Sequence, residues 1–418
     1  MRALRPALYL WMILVLVACN LAETASTPLP PTLPPNMPHL VTAWAEGGNL
    51  YVWQTGDVFA RRVASGGVIQ PFIAPDGARI AFTRGPAGAP DSLWLVTTDG
   101  ALEQQLVGEG KPATYFQAQM GQVVWWDATT LYFNTLKRDV PASTPRHDLY
   151  RANVITRDVS QILAPGEGGR ITFSPNHDKI ALVSAGDYGK HNGRIRVIDP
   201  LAQQPAIDLL FFTGVATGAH SGFYPPIAWV EDEGALLAAI PDKDVLYGED
   251  EGKEVPETVI WRLPLATPSD REMVGAIPAS FFGMPRWSED GGHMVYLTRT
   301  DGETFQIMLA DAIGENAFEI DSGKAGEIEM PAWIPGTTQF FYSKGQAGQV
   351  LIASLDELPH ALRDELTLAP DFVTPTQIVY MTSHEDRYDL RTTVSDQSAQ
   401  LISELGGLVV FDAVWVNP

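Results

Sequence analysis

Residues 74–82 read Ala-Pro-Asp-Gly-Ala-Arg-Ile-Ala-Phe, and residues 93–96 read Leu-Trp-Leu-Val. The first four residues have the chemistry of a tight turn, because Pro presets φ, Asp bonds its own backbone and Gly tolerates positive φ. The apolar runs that follow are short and rich in β-branched and aromatic residues, which is typical of strands. Residues 286–296, Arg-Trp-Ser-Glu-Asp-Gly-Gly-His-Met-Val-Tyr, repeat this order. The pattern predicts a turn that joins neighbouring β-strands.

The same local order recurs eight times along the chain. The copies are spaced by roughly 40 to 58 residues, which is within or slightly above the period of four-stranded propeller blades. They begin at Ile73, Trp125, Phe173, Trp229, Trp287, Trp333, Val373 and Trp415. Second strands are predicted at 79–83, 179–183, 293–297, 339–342 and 377–381, and third strands at 92–96, 194–198, 258–262 and 306–309. The repetition predicts one large all-β domain.

The two clear copies, at residues 74–100 and 286–296, resemble the TolB-type, WD-like propeller repeat, which also forms the N-terminal domain of dipeptidyl-peptidase-like enzymes. The resemblance covers nearly all of residues 39–418 and implies a β-propeller of four-stranded blades. Counting first strands favours eight blades, with seven as the alternative if the weak copy at Val373 is an irregular insertion. Residues 408–418 form a first strand with nothing after it, and residues 41–53 form strands with no first strand before them. We therefore expect the C-terminal strand to pair with the N-terminal blade and close the ring.

The N-terminal 38 residues have a different character. Arg2 and Arg5 precede the apolar run Leu8–Val17, as in a signal peptide. Leu16-Val17-Ala18-Cys19 resembles the lipobox of bacterial lipoproteins, which implies cleavage after residue 18 and acylation of Cys19, the sole cysteine. Residues 20–38 hold six prolines and suit an extended tether. The domains predicted are a signal peptide (1–18), a lipidated Cys with a Pro-rich tether (19–38) and the propeller (39–418). An ordinary signal peptide with a chance cysteine is the alternative.

The net charge and the absence of known catalytic motifs reduce the number of function classes to consider. The formal net charge of −22 repels phosphate backbones, so nucleic acid is not an expected partner. No Gly-x-Ser-x-Gly or His-Glu-x-x-His motif occurs. Asp242-Lys243-Asp244 begins like a calcium loop, but the glycine expected at the sixth position is missing. The sequence therefore predicts no metal, no cofactor and no catalytic residues, with loose cation binding by Glu249, Asp250 and Glu251 as the alternative.

Repeated features are interpreted as scaffold. The turns at Asp76 and Asp290 recur from blade to blade and are expected to be structural. Large aromatics at one fixed position, Trp229, Trp287, Trp333 and Trp415, are expected to pack between adjacent blades.

Departures from the repeat identify the candidate binding surface. The link between the second and third strands swells in three consecutive blades, at residues 134–148, 184–193 and 241–257, and equivalent links lie on one face. The candidate binding residues in these loops are Lys137, Arg138, Arg146, His147, Asp148, Asp187, Tyr188, Lys190, His191, Asp242, Asp244, Tyr247, Glu249 and Asp250. Solvated, variable loops without a ligand are the alternative reading.

The leading hypothesis is a membrane-anchored lipoprotein that faces the periplasm or the cell exterior. Its propeller would bind or scaffold a protein, a peptide or a glycan without catalysis. A hydrolase of exported polymers, with residues that converge only in three dimensions, is the second hypothesis. A TolB-like component of an envelope assembly is the third, from which the lipobox is a departure, since TolB is a soluble periplasmic protein.

Overall fold

A computed structural model describes residues 37–417, except for 87–89, 109–117, 138–144, 187–190, 216–221, 243–256, 280–282, 300–302, 325, 330, 346–347, 363–366, 385–386 and 395–396. These residues form 32 strands in eight four-stranded antiparallel sheets. Each sheet is one blade of a β-propeller, and strands are given below from the first to the fourth of each blade.

Blade 1 consists of β32 (Val410–Val416), β1 (His39–Glu46), β2 (Asn49–Gln54) and β3 (Arg61–Ser65). Blade 2 consists of β4 (Val68–Ile73), β5 (Arg79–Arg84), β6 (Ser92–Thr97) and β7 (Glu103–Val107). Blade 3 consists of β8 (Ala118–Trp125), β9 (Thr130–Lys137), β10 (Leu149–Asn153) and β11 (Val159–Leu163). Blade 4 consists of β12 (Arg170–Phe173), β13 (Ile180–Ser184), β14 (Gly193–Ile198) and β15 (Ile207–Phe212).

Blade 5 consists of β16 (Ile227–Val230), β17 (Ala235–Pro241), β18 (Thr258–Pro264) and β19 (Glu272–Ile277). Blade 6 consists of β20 (Arg286–Trp287), β21 (His293–Arg299), β22 (Thr304–Asp311) and β23 (Phe318–Lys324). Blade 7 consists of β24 (Ala332–Trp333), β25 (Gln339–Lys344), β26 (Gln349–Ser354) and β27 (His360–Ala361). Blade 8 consists of β28 (Leu368–Phe372), β29 (Gln377–His384), β30 (Arg387–Val394) and β31 (Gln400–Leu405).

The ring closes as the sequence predicted. The C-terminal strand β32 pairs antiparallel with β1, from His39 opposite Val416 to Ala45 opposite Val410. The weak copy at Val373 is a true blade, because β28 pairs with β29 and the Val373 amide donates to the Gln377 carbonyl at 3.0 Å. The count is therefore eight blades, and the alternative of seven was wrong.

Each of the eight blade–blade interfaces contains its own apolar cluster. Between blades 1 and 2, for example, Val41 and Val416 meet Ile80 and Phe82. Strands in such a ring bury side chains on both faces, which explains why all seven residues of β17 are buried. The core is thus a series of separate seams, each shared by two neighbouring blades.

The tryptophans of the first strands lie in these seams, which confirms their predicted role. Trp229, Trp287, Trp333 and Trp415 each join a cluster with residues of the preceding blade. Trp333 also donates its indole N–H to the Arg286 carbonyl of that blade at 2.8 Å. This bond fixes the orientation of the Trp333 ring against the preceding blade.

The turns between first and second strands are scaffold, as expected. Asp76 accepts a hydrogen bond from the Ala78 amide, and Asp290 accepts one from the Gly292 amide, both at 3.0 Å. Both carboxylates thus close Asx turns. A short 3₁₀ segment, Pro268–Asp270, interrupts the strands, and among the described residues no helix is long and apolar enough to cross a membrane.

Asp412 on β32 is a half-buried carboxyl that binds the neighbouring blade. It accepts a hydrogen bond from the Ile73 amide of β4. Burial, together with the nearby charge of Asp371, raises the pKa of Asp412 to about 6. A raised folded-state pKa means that the stabilising contribution is present below the unfolded value and is lost as the pH rises through about 6.

We expect Asp412→Asn to change how stability depends on pH. The amide oxygen keeps an acceptor for Ile73 but never ionises, so the cost of burying the charge disappears. The unfolding free energy of Asp412→Asn minus that of wild type is expected to be about 2 kcal/mol smaller at pH 4.5 than at pH 7.5. Denaturant unfolding at both pH values measures this. Asp99→Asn is the control, because hydrogen bonds from Thr97 and the Ala101 amide lower the pKa of Asp99. The contribution of Asp99 is lost only at a pH below the tested range, so the difference between Asp99→Asn and wild type should stay nearly constant from pH 7.5 to 4.5. An unchanged difference for Asp412→Asn would contradict the prediction.

Candidate functional site

The topology divides the ring into two faces. Because successive strands are antiparallel, the links from first to second and from third to fourth strands lie on one face, and the remaining links lie on the other. Strand β1 is the second strand of blade 1, and its first residue, His39, lies opposite Val416 at the end of β32. The chain therefore enters the propeller on the first of these faces, which we call the entry face. The opposite face is called the loop face.

The three enlarged links predicted from the sequence do connect second to third strands and lie on the loop face. They span 138–148, 185–192 and 242–257, in blades 3, 4 and 5. The corresponding link is only 47–48 in blade 1 and 385–386 in blade 8. The first enlarged link is shorter than predicted, because β9 continues to Lys137 and buries Asn134 and Thr135.

Many of the predicted binding residues lie outside the described residues. These are Arg138, Asp187, Tyr188, Lys190, Asp244, Tyr247, Glu249 and Asp250, together with Cys19. Of the others, Lys137, His191 and Asp242 are exposed on the loop face. Arg146, His147 and Asp148 end the blade 3 link, and their contacts are described next.

Asp148 is fully buried, so it supports the loop from within and is not a surface ligand. Its carboxylate accepts hydrogen bonds from the Thr135 amide at 2.8 Å and from the Thr135 hydroxyl at 2.6 Å. Arg146 lies 3.6 Å from the same carboxylate. Burial raises the pKa of Asp148, while the Thr135 bonds and Arg146 act in the opposite direction. Asp148 thus ties the returning loop to β9.

His147 lies at the point where three blades meet. Its Nε2 is 2.8 Å from the Tyr224 hydroxyl, which precedes the first strand of blade 5. The Arg170 guanidinium, at the start of the first strand of blade 4, lies over the Tyr224 ring with its Cζ 4.4 Å from the centroid. His147, Arg170 and Tyr224 are called the His–Arg–Tyr cluster below. Tyr224 is its centre, since it contacts both other members.

The backbone holds His147 in place from the fourth-to-first link of blade 3. The His147 carbonyl accepts from the Gly168 amide at 2.6 Å, and the Arg146 carbonyl accepts from the Gly166 amide at 3.0 Å. His147 itself has φ of 50°, a left-handed conformation that is uncommon outside glycine. Such a conformation persists only where surrounding contacts enforce it, and it is frequent at binding sites.

The arginines around the cluster differ in their pairing. Arg196 is buried and donates to Asp208 at 2.7 Å and to Glu167 at 2.6 Å. Arg194 lies near the same two carboxylates. Arg170 is exposed, and among the described residues it has no carboxylate partner. In a chain of net charge −22, an exposed arginine stacked on a tyrosine is well suited to bind a ligand carboxylate or hydroxyl.

Sequence reasoning missed Tyr224 because it did not consider the fourth-to-first links as binding elements, and it missed Arg170 because it did not consider the first residue of a first strand. An aromatic residue just before the Pro225-Pro226 pair, and a charge at the start of a first strand, are the sequence features that could have identified them. Within the described ranges no group of three or more His, Cys, Asp or Glu side chains could hold a metal ion.

Comparison with solved structures agrees with the fold. A eukaryotic initiation factor aligns over 90% of this chain and 98% of its own length, with 8% identity and a TM-score of 0.54. Prolyl endopeptidases align over 83% of this chain with 12% identity and a TM-score of 0.54, but this match spans only 50% of the endopeptidase chain. TolB from Acinetobacter baumannii aligns over 91% of this chain and 83% of its own, with 16% identity and a TM-score of 0.38.

Neither a protein-family model nor a curated protein matches this sequence. At sequence identities this low, structural similarity supports a shared fold but does not indicate a shared activity. The resemblance to TolB-type propellers is carried by the repeat sequence, and the two alignments with a TM-score of 0.54 agree with its fold. The chain is an eight-bladed β-propeller.

Proposed function

We propose that this protein is a lipid-anchored, extracytoplasmic propeller that binds a protein, peptide or glycan through its loop face without catalysis. The single observation that carries the proposal is the position of the chain entry. The segment with Cys19 joins the entry face, and the enlarged links lie on the opposite face. A tether on one side leaves the other side open to a partner.

The His–Arg–Tyr cluster supplies the chemistry for recognition. Tyr224 offers a ring face and a hydroxyl, His147 a ring nitrogen, and Arg170 a planar fork of donors. This combination suits a carboxylate, such as a peptide C-terminus or an acidic sugar, or the hydroxyl groups of a neutral glycan. The cluster lies between blades held together by apolar seams, so its geometry is preorganised.

Anchoring is tested by labelling cells with radioactive palmitate. Wild-type chain is expected to incorporate the label and to fractionate with membranes, because two acyl chains anchor stably. Cys19→Ser is expected to lose both properties. Incorporation at the same level in Cys19→Ser would contradict the anchor.

Recognition is tested by capture of partners from solubilised membranes with wild type, Arg170→Ser and Tyr224→Ala. We expect both variants to lose at least about 90% of the captured ligand, since hot-spot Arg and Tyr side chains commonly contribute 2 kcal/mol or more. Phe211→Ser, an exposed residue on the outermost strand of blade 4, is the matched control and should capture normally. Unchanged capture by all three variants would reject the cluster. Turnover of a glycan or peptide library by the purified protein would replace the noncatalytic proposal with the hydrolase.

A further inference from the structure

Large apolar side chains are exposed in one repeated link on the entry face. They lie in the links between third and fourth strands of blades 1, 2, 3, 4 and 7. Phe59 is 79% exposed and Leu358 is 88% exposed. The others are Val58, Leu102, Ile155, Leu201 and Leu355. We call these seven residues the apolar tips.

Local turn chemistry places two of the tips, Leu102 and Leu201, at the ends of hairpins. Asp99 accepts a hydrogen bond from the Ala101 amide at 2.9 Å, just before Leu102. Asp199 accepts one from the Leu201 amide at 3.0 Å. Because these links join equivalent strands of successive blades, the tips protrude on the same side of the ring.

The chain that precedes the propeller ends on this face. Met37, the first described residue, is 50% exposed, and the Leu40 amide donates to the Thr55 hydroxyl of the blade 1 link that carries Phe59. The segment before Met37 contains the apolar run Leu8–Val17 and Cys19. The segment that carries Cys19 therefore joins the propeller on the same face as the apolar tips.

The distribution of the tips around the ring favours a membrane surface over a protein as the binding partner of this face. Protein interfaces require a contiguous patch, whereas the tips belong to separate hairpins around the ring. A bilayer surface can accept all of them at once, and each buried tip adds its own transfer free energy.

Charge indicates which lipids suit this face. Asp99, Asp127, Asp199 and Asp311 lie in or beside its turns, where each accepts a backbone N–H. Hydrogen bonds from Thr97 and the Ala101 amide lower the pKa of Asp99. These carboxylates repel anionic headgroups, so the face suits a zwitterionic surface.

Resting on the lipid anchor of the proposed function, we infer that the entry face is a membrane-docking surface whose apolar tips insert into the interface of a zwitterionic bilayer. The anchor would then do more than retain the protein. It would hold the propeller flat on the membrane, with the His–Arg–Tyr cluster directed away from it.

The test uses the acylated full chain in phosphatidylcholine vesicles. Because acylation blocks Cys19, the only natural cysteine, an introduced cysteine is the single free thiol. Phe59→Cys and Leu358→Cys are labelled with an environment-sensitive fluorophore. Leu408→Cys is the control, since Leu408 is 64% exposed in the fourth-to-first link of blade 8 on the loop face. We expect a blue shift and loss of quenching by a water-soluble quencher at 59 and 358, with neither change at 408. Replacing a third of the lipid by phosphatidylglycerol at low salt should weaken the shift.

The outcomes separate the two proposals. A chain that floats with the vesicles but keeps all three labels in water is anchored without docking, which overturns this inference alone. A chain that does not float overturns the anchor and the docking together. Labels at 59 and 358 that stay in water on pure lipid, but become shielded in native membranes, would show a protein-binding face and overturn the lipid assignment.

Discussion

Removing residues 408–418 is expected to unfold the whole propeller and not only blade 1. The deletion takes away β32, which pairs with β1 over seven registers and packs against β4 of blade 2. Val416 leaves the seam between blades 1 and 2, and Trp415 leaves the seam between blades 8 and 1. The deletion therefore removes packing from two neighbouring seams and also the pairing of β32 with β1. The expected loss exceeds about 5 kcal/mol, a value comparable to the stability of a typical domain.

Thermal unfolding followed by circular dichroism measures this effect. The truncated chain should show no cooperative transition, or should be insoluble because an exposed strand edge invites aggregation. A chain that ends at Val416 keeps the whole strand and serves as the control. A synthetic peptide of residues 408–418 added during refolding should restore the transition. A truncated chain that unfolds cooperatively at the wild-type temperature would show that ring closure contributes little.

The fold was predictable because the sequence features that specify it are local and repeated. The Pro75-Asp76-Gly77 turn, the apolar runs beside it and the fixed aromatic each act within a few residues, and eight copies reinforce one another. Ring closure was predictable because the N-terminal strands lack a first strand before them and the C-terminal residues 408–418 form a first strand with nothing after it. The blade at Val373 was the uncertain one, because its turn lacks Asp and Gly, and Thr374 instead bonds the Thr376 and Gln377 amides.

The candidate site was only partly predictable, because its members come together through the ring. His147 was identified in an enlarged link, but Arg170 and Tyr224 lie 23 and 77 residues further along the chain, and no local pattern connects them. Asp148 shows the converse. Its charge indicated a surface residue, whereas the structure buries it against Thr135. Loop charge alone does not distinguish a ligand-binding carboxylate from one that ties down its own loop.

Gly291→Ala is expected to destabilise the protein by about 3 kcal/mol, because the turn at Gly291 has both a conformational and a steric requirement. Gly291 has φ of 67°, which costs an L-residue about 1 kcal/mol or more. A Cβ at this position would lie 2.9 Å from the Trp229 carbonyl oxygen and 2.6 Å from Val230 Cγ1 of blade 5. The valine methyl can rotate away, but the backbone carbonyl of a seam strand cannot.

Gly336→Ala separates the two contributions. Gly336 has φ of 68° in the turn between the first and second strands of blade 7, but the nearest atom to its Cβ would be Pro375 Cγ at 3.7 Å. Its substitution should therefore cost only the conformational part, about 1 kcal/mol. Denaturant unfolding of both variants gives the difference, and adding Val230→Ala to Gly291→Ala should recover only part of it. Equal losses for the two alanine variants would mean that blade 5 yields to the added methyl, so that the seam between blades 5 and 6 is less tightly packed than the contacts of Gly291 indicate.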